Sequence, residues 1–197
     1  MCTTYAVTGW KPYKMKCAIK LLILDVDGVL TDGTKEYDKD HSIVSKKFLC
    51  KDFTAIKRFM AAGVKVIMIS GDEWNRAMAD KRNIDFYCSR GSDMSLDKSK
   101  YLGMFANTYS VDISQMAFVG DDYFDLSMFR KLECTFCPSD APNIIKHASS
   151  RICSRAGGEG VIVEIYDLAV GMQWICDADP DVVAELDKQE STSREMS

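Results

Sequence analysis

Short apolar runs separated by polar punctuation dominate the chain, and their spacing predicts an alternation of strands and helices. Leu21 to Leu24 is apolar without a polar face, as a parallel strand buried on both sides must be. Val64 to Ile69, Asp85 to Cys88, Met116 to Val119 and Glu133 to Cys137 repeat that theme at intervals that leave room for helices. Helices are predicted from Asp52, as N-cap, through Ala62 with Gly63 as its stop, then over Glu73 to Arg82, over Leu96 to Asn107, and amphipathically through Val170. The alternation predicts an α/β fold, a doubly wound, Rossmann-like parallel sheet.

Between the first strand and the first helix, Glu36-Tyr37 and Ile43-Val44 flank the polar turn Asp38-Lys39-Asp40-His41-Ser42. This predicts a β-hairpin within Thr34 to Phe48. It is too small for a large cap domain and suits a flap over the first strand's carboxyl end. Residues 1–19 read as an N-terminal extension, 20–172 as the folded domain, and 173–197 as an acidic, then Ser/Thr-rich tail, a short helix fading into disorder.

Composition narrows the function classes. A length of 197 residues with 47% hydrophobic content supports one substantial core, and a net charge of -4 offers no basic excess for nucleic acid. No apolar run approaches the roughly 18 residues of a membrane span, and the N-terminus lacks a signal-peptide apolar segment, which predicts a cytoplasmic protein. Eight scattered cysteines then read as reduced thiols, and Cys134-Thr-Phe-Cys137 as part of a packed strand rather than a metal or redox site.

Candidate chemistry gathers at the predicted strand ends. Asp25-Val-Asp27-Gly28-Val-Leu-Thr31 puts two carboxylates at the end of a buried strand, where open α/β sheets bind ligands. Their repulsion calls for a shared cation or proton, and a hard ion such as Mg2+ suits carboxylate and phosphate oxygens. The pair permits phosphoryl transfer, with Asp25 as nucleophile and Asp27 moving protons. Ser70-Gly71-Asp72 offers a hydroxyl and a backbone N–H to phosphate, Lys98 a cation, and Gly120-Asp121-Asp122-x-x-Asp125 a second acidic cluster for a shared metal.

Asp25-x-Asp27-Gly-x-x-Thr31, Ser70, Lys98 and Gly120-Asp-Asp-x-x-Asp125, in that order, resemble the four motifs of the haloacid dehalogenase superfamily of phosphohydrolases. Thr31-Asp-Gly33, Lys47-Phe48 with Asp52, and Arg155-Ala-Gly-Gly-Glu-Gly160 are similar to its capless branch, the 3-deoxy-D-manno-octulosonate 8-phosphate and 2-keto-3-deoxynonulosonate 9-phosphate phosphatases. The resemblance implies Asp25, Asp27 (through its carbonyl) and Asp121 as Mg2+ ligands. It implies Asp27 as acid/base, Ser70, Gly71 and Lys98 as phosphate ligands, and Asp122 and Asp125 as groups orienting the lysine and the metal's waters. It further implies a small phosphorylated sugar-acid substrate and a homo-oligomer, most readily a tetramer, in which Arg155 of one chain meets the substrate carboxylate in another. Asp72 and Phe53 depart from the octulosonate pattern, which has Arg and Gly there; Asp72, by this charge reversal, and Arg155, by the resemblance, are the expected specificity residues. A phosphatase for nucleotides or nucleic-acid ends is the alternative within enzymes. A phospho-accepting signalling module is the alternative outside them, although its acceptor follows the acidic pair rather than preceding it.

Overall fold

The computed structural model describes residues 18–90 and 97–195. Its centre is a six-stranded parallel sheet, built from β1 (Leu21–Leu24), β4 (Lys65–Ser70), β5 (Asp85–Cys88), β6 (Met116–Val119), β7 (Cys134–Cys137) and β8 (Arg151–Ile152) in the order β5-β4-β1-β6-β7-β8. β1 pairs Leu21 with Lys65 on one side and with Met116 on the other, so all four of its residues are buried. The chain lays strands outward from β1 to β5 and then returns to β6 on β1's other flank. That reversal opens a crevice at the carboxyl ends of β1 and β6.

Period-two geometry splits the continuous apolar run of β1 between two cores. Leu22 and Leu24 pack with Ile56 and Phe59 of α1 (Cys50–Ala61) and Ile165 and Tyr166 of α6 (Val161–Gly171). Leu21 and Ile23 pack with Phe105 of α3 (Leu102–Tyr109), Met128 of α4 (Leu126–Phe129) and Ile145 of α5 (Asn143–Ala148). A two-stranded hairpin, β2 (Glu36–Tyr37) and β3 (Ile43–Ser45), stands apart from the sheet as expected of a flap.

Four local expectations differ. α1 starts at Cys50, not after Asp52. Asp52 lies buried in its first turn, and its carboxylate accepts hydrogen bonds from Ile162 N at 2.9 Å and Val163 N at 3.2 Å, so it caps α6 instead. The helix expected over Glu73 to Arg82 is a 3-10 turn, Glu73–Asn75, followed by α2 (Arg76–Asp80). The one expected from Leu96 begins, among the described residues, as a 3-10 turn at Lys98–Tyr101 and continues as α3 to Tyr109; Leu96 lies outside the described residues. The acidic tail carries a sixteen-residue helix, α7 (Pro180–Glu195), tied to α1 by Lys57 and Glu190 at 2.7 Å.

The six described cysteines are free, and Cys134 and Cys137 lie buried in β7, where burial pushes the Cys134 thiol up to about 12. Among the described residues no helix is long and apolar enough to cross a membrane.

Candidate active site

β1 ends where its hydrogen-bond ladder still holds the chain, since Asp25 N donates to Val119 O at 2.9 Å, and this aims the Asp25 carboxylate into the crevice. The following turn is closed by Thr31, whose Oγ1 accepts from Gly28 N at 3.3 Å and Gly33 N at 3.1 Å. Gly28 has φ +84°, and a Cβ there would lie 2.0 Å from Asp121 Oδ2. Only glycine lets the nucleophile turn and the Asp121 carboxylate approach so closely.

Asp25 Oδ1 accepts from Val26 N at 2.7 Å, and Oδ2 accepts from Lys98 Nζ at 2.7 Å. Lys98 is buried and donates also to Asp125 Oδ1 at 2.6 Å. Asp125 Oδ2 accepts from Asp121 N at 2.9 Å and Asp122 N at 3.1 Å, so both Asp125 oxygens are committed. The Asp122 carboxylate caps Tyr123 N at 2.6 Å and faces the same pocket.

Carboxylate oxygens of Asp25, Asp121 and Asp125 lie within 4.8 Å of one another. Burial, with the Asp125 charge added, raises Asp25 to about 7 against the pull of Lys98. Burial and the Asp25 and Asp125 charges raise Asp121 to about 8. The same two carboxylates outweigh burial at Lys98 and hold its ammonium well above the usual lysine range. Among the described residues, Asp121 Oδ1 is buried without a hydrogen-bond partner. An orphaned, electron-rich oxygen beside a crowded carboxylate fits a hard divalent cation, which would satisfy the one and relieve the other.

The Asp27 carboxylate lies outside that group and points to the flap side. It meets Lys46 Nζ at 2.7 Å, Asn75 Nδ2 at 3.0 Å and Ser70 Oγ at 3.4 Å. Lys46, its side chain fully buried, bonds also to Asp72 and Asn75, each at 2.8 Å. Asp72 caps Trp74 N and takes Lys35 at 2.7 Å; these lysines outweigh its burial and hold its carboxyl at about 2. The acidic residue that departs from the octulosonate pattern thus arrives already neutralised by the flap. Lys35, Lys46, Asn75 and Arg90 belong to no spacing motif and were missed. The only signal was that a flap must be attached to what it covers.

Asp25, Asp27, Ser70, Gly71, Asp72, Lys98, Asp121 and Asp122 line one pocket of about 250 Å³, with Asp125 directly behind it. A larger cavity, about 360 Å³, lies between α1 and α7 and carries none of these residues. Arg155 is not brought to this pocket in its own chain: exposed, it donates to Glu159 O at 3.0 Å. The neighbouring glycines have an intrachain reason for their order. Gly158 N donates to Val29 O, and a Cβ on Gly157 would lie 2.1 Å from Gly28 O, so this segment braces the nucleophile turn.

Comparison with known proteins agrees with this fold. A family model for haloacid dehalogenase-like hydrolases matches residues 92–165. The 3-deoxy-D-manno-octulosonate 8-phosphate phosphatase of Haemophilus influenzae is 33% identical over 158 residues, 79% of this chain and 84% of that protein. Its cobalt-bound structure superposes with a TM-score of 0.72 at 32% identity, covering 79% of this chain and 90% of that one. The Moraxella catarrhalis octulosonate phosphatase, solved with magnesium, phosphate and its sugar acid, shares the fold at a TM-score of 0.70 and 24% identity, over 78% of this chain and 87% of that one.

Proposed function

The chain belongs to the haloacid dehalogenase-like hydrolases and is a phosphatase, and we propose that it releases phosphate from a phosphorylated 2-keto-3-deoxy sugar acid through an aspartyl-phosphate. The observation that carries the chemistry is the buried Asp25–Lys98–Asp125 chain set against the unpartnered Asp121 oxygen. The 33% identity to an octulosonate 8-phosphate phosphatase supports the substrate class; the nonulosonate 9-phosphate analogue is the second sugar to test.

An Asp25 oxygen attacks phosphorus as the bond to the sugar oxygen breaks, and Asp27 gives its proton to that oxygen. Asp27, now a carboxylate, takes a proton from water, which attacks phosphorus and returns Asp25 with release of phosphate. Lys98 holds the nucleophile's charge and a phosphoryl oxygen, while Ser70 Oγ and Gly71 N bind the others. Asp125 orients Lys98 and the Asp121 backbone; Asp122 fixes the turn beside them. Mg2+, held by the carboxylates of Asp25 and Asp121 and the carbonyl of Asp27, would neutralise phosphoryl charge as a Lewis acid.

The enzyme would act as a homo-oligomer, most readily a tetramer, in the cytoplasm, where the free thiols suit a reducing medium. Light scattering on the purified protein tests the assembly: a tetramer mass supports it, and a monomer excludes it. The substrate assignment is tested by Mg2+-dependent phosphate release across sugar-acid phosphates, hexose phosphates and nucleotides. A preference for nucleotides would overturn it.

A further inference from the structure

Counting charges around the pocket leaves one cation over. Lys98 is shared by Asp25 and Asp125, and Lys35 and Lys46 are taken by Asp72 and Asp27. Arg90 also lines the pocket, yet among the described residues no carboxylate pairs with it. It follows β5, at one edge of the site. Its side chain crosses the face of Gly71, where a Cβ would lie 2.6 Å from Nε, and its guanidinium carbon stands 5.1 Å from the ring centre of Phe124, which follows β6. Since β4 and β6 flank β1, a side chain that touches both Gly71 and Phe124 bridges the ends of β4 and β6 at the rim of the pocket.

Contact through its face to an aromatic ring leaves the in-plane N–H groups of a guanidinium free, and their fork matches a carboxylate's two oxygens. With the phosphate end of the substrate assigned above to Ser70, Gly71 and Lys98, the group that extends past Gly71 to the rim is the remainder of the sugar acid. We propose that Arg90, laid across Gly71 and steadied on Phe124, binds the substrate's carboxylate and selects sugar acids over neutral sugar phosphates. This rests on the sugar-acid reading above. It gives within one chain the role first assigned to Arg155, whose guanidinium is held by Glu159 O.

The test compares 3-deoxy-octulosonate 8-phosphate with a neutral hexose 6-phosphate in the full-length wild type and in Arg90→Met, Arg90→Lys and Arg155→Met. Arg90→Met should raise KM for the acid by roughly 10- to 100-fold relative to the neutral substrate, the effect of losing a charge-assisted hydrogen bond. Arg90→Lys should regain part of the preference, and Arg155→Met should keep the wild-type ratio. Arg90→Gln, which keeps the packing over Gly71 without the charge, replaces Arg90→Met if that variant does not fold. Equal losses on both substrates, or a preference erased by Arg155→Met instead, would overturn the assignment alone. A wild type that hydrolyses hexose phosphate but ignores the acid would overturn the sugar-acid reading with it.

Discussion

Asp121→Asn should stabilise the metal-free protein at alkaline pH while removing its response to Mg2+, because the crowding that builds the cation site is a cost until the cation arrives. The folded protein holds Asp121 at about 8 and Asp25 at about 7, against 3.8 for an ordinary aspartate. Folding therefore retains protons that the unfolded chain has released. Stability associated with these groups is complete below about pH 4 and is lost as pH rises through 7 and 8. Lys98 does not disturb that window, since its elevated pKa costs stability only as pH rises through its own, higher value. Between pH 6 and 8 one such carboxyl costs up to about 3 kcal/mol, and the coupled pair about 2 to 4 kcal/mol. In a chain of this size that is a fall in Tm of roughly 5 to 12 °C. Asn keeps the shape and removes one of the like charges, so most of this slope should vanish in the metal-free variant. Mg2+ at a hundredfold excess over its Kd should restore about 3 kcal/mol to the wild type at pH 8 and far less to the variant. Differential scanning fluorimetry at pH 6, 7 and 8, with and without Mg2+, reads all of this. Parallel pH profiles for the two proteins, or an undiminished Mg2+ gain in the variant, would refute the crowded-carboxylate reasoning.

Lys46→Met should lower kcat by about 10- to 100-fold with a smaller change in KM, because it releases Asp27 from a buried three-way contact that positions the acid/base group. Steady-state kinetics check it, and an unchanged kcat would leave Lys46 a flap anchor only. Asp52→Ala should leave Ile162 N and Val163 N uncapped and cost about 1 to 2 kcal/mol, a Tm loss of roughly 3 to 6 °C, with Asp52→Asn much milder. An unaltered Tm would show that α6 does not depend on this cap.

The strands and the four motif positions were legible because each is local. An unbroken apolar run specifies a strand buried on both faces, and a carboxylate at its end has nowhere to point but the crevice. The flap was legible from its turn residues. What could not be read lies between segments far apart in the chain. Asp52 looked like a helix N-cap and is one, but for α6, more than a hundred residues away. Lys46 and Arg90 sit in no spacing pattern, and a surface lysine or arginine is the ordinary expectation for such positions. Only the fold shows that one is buried against Asp27 and the other laid across Gly71. The glycines at 157 and 158 entered only as part of the branch motif, and the structure supplies their packing reason, the turn after Asp25. The acidic tail read as fading because its polarity offers little core, yet Lys57 and Glu190 fasten α7 to α1.

Covalent catalysis by Asp25 is tested most directly by trapping its phosphorylated form. Asp27→Asn keeps the nucleophile and Lys98 but cannot activate water, so Mg2+ and a phosphorylated substrate should leave the variant carrying one phosphoryl group. Intact mass spectrometry should show that adduct, hydroxylamine should discharge it, and peptide mapping should place it on Asp25. A phosphoryl group on any other residue, or continued turnover in Asp25→Asn, would contradict the mechanism.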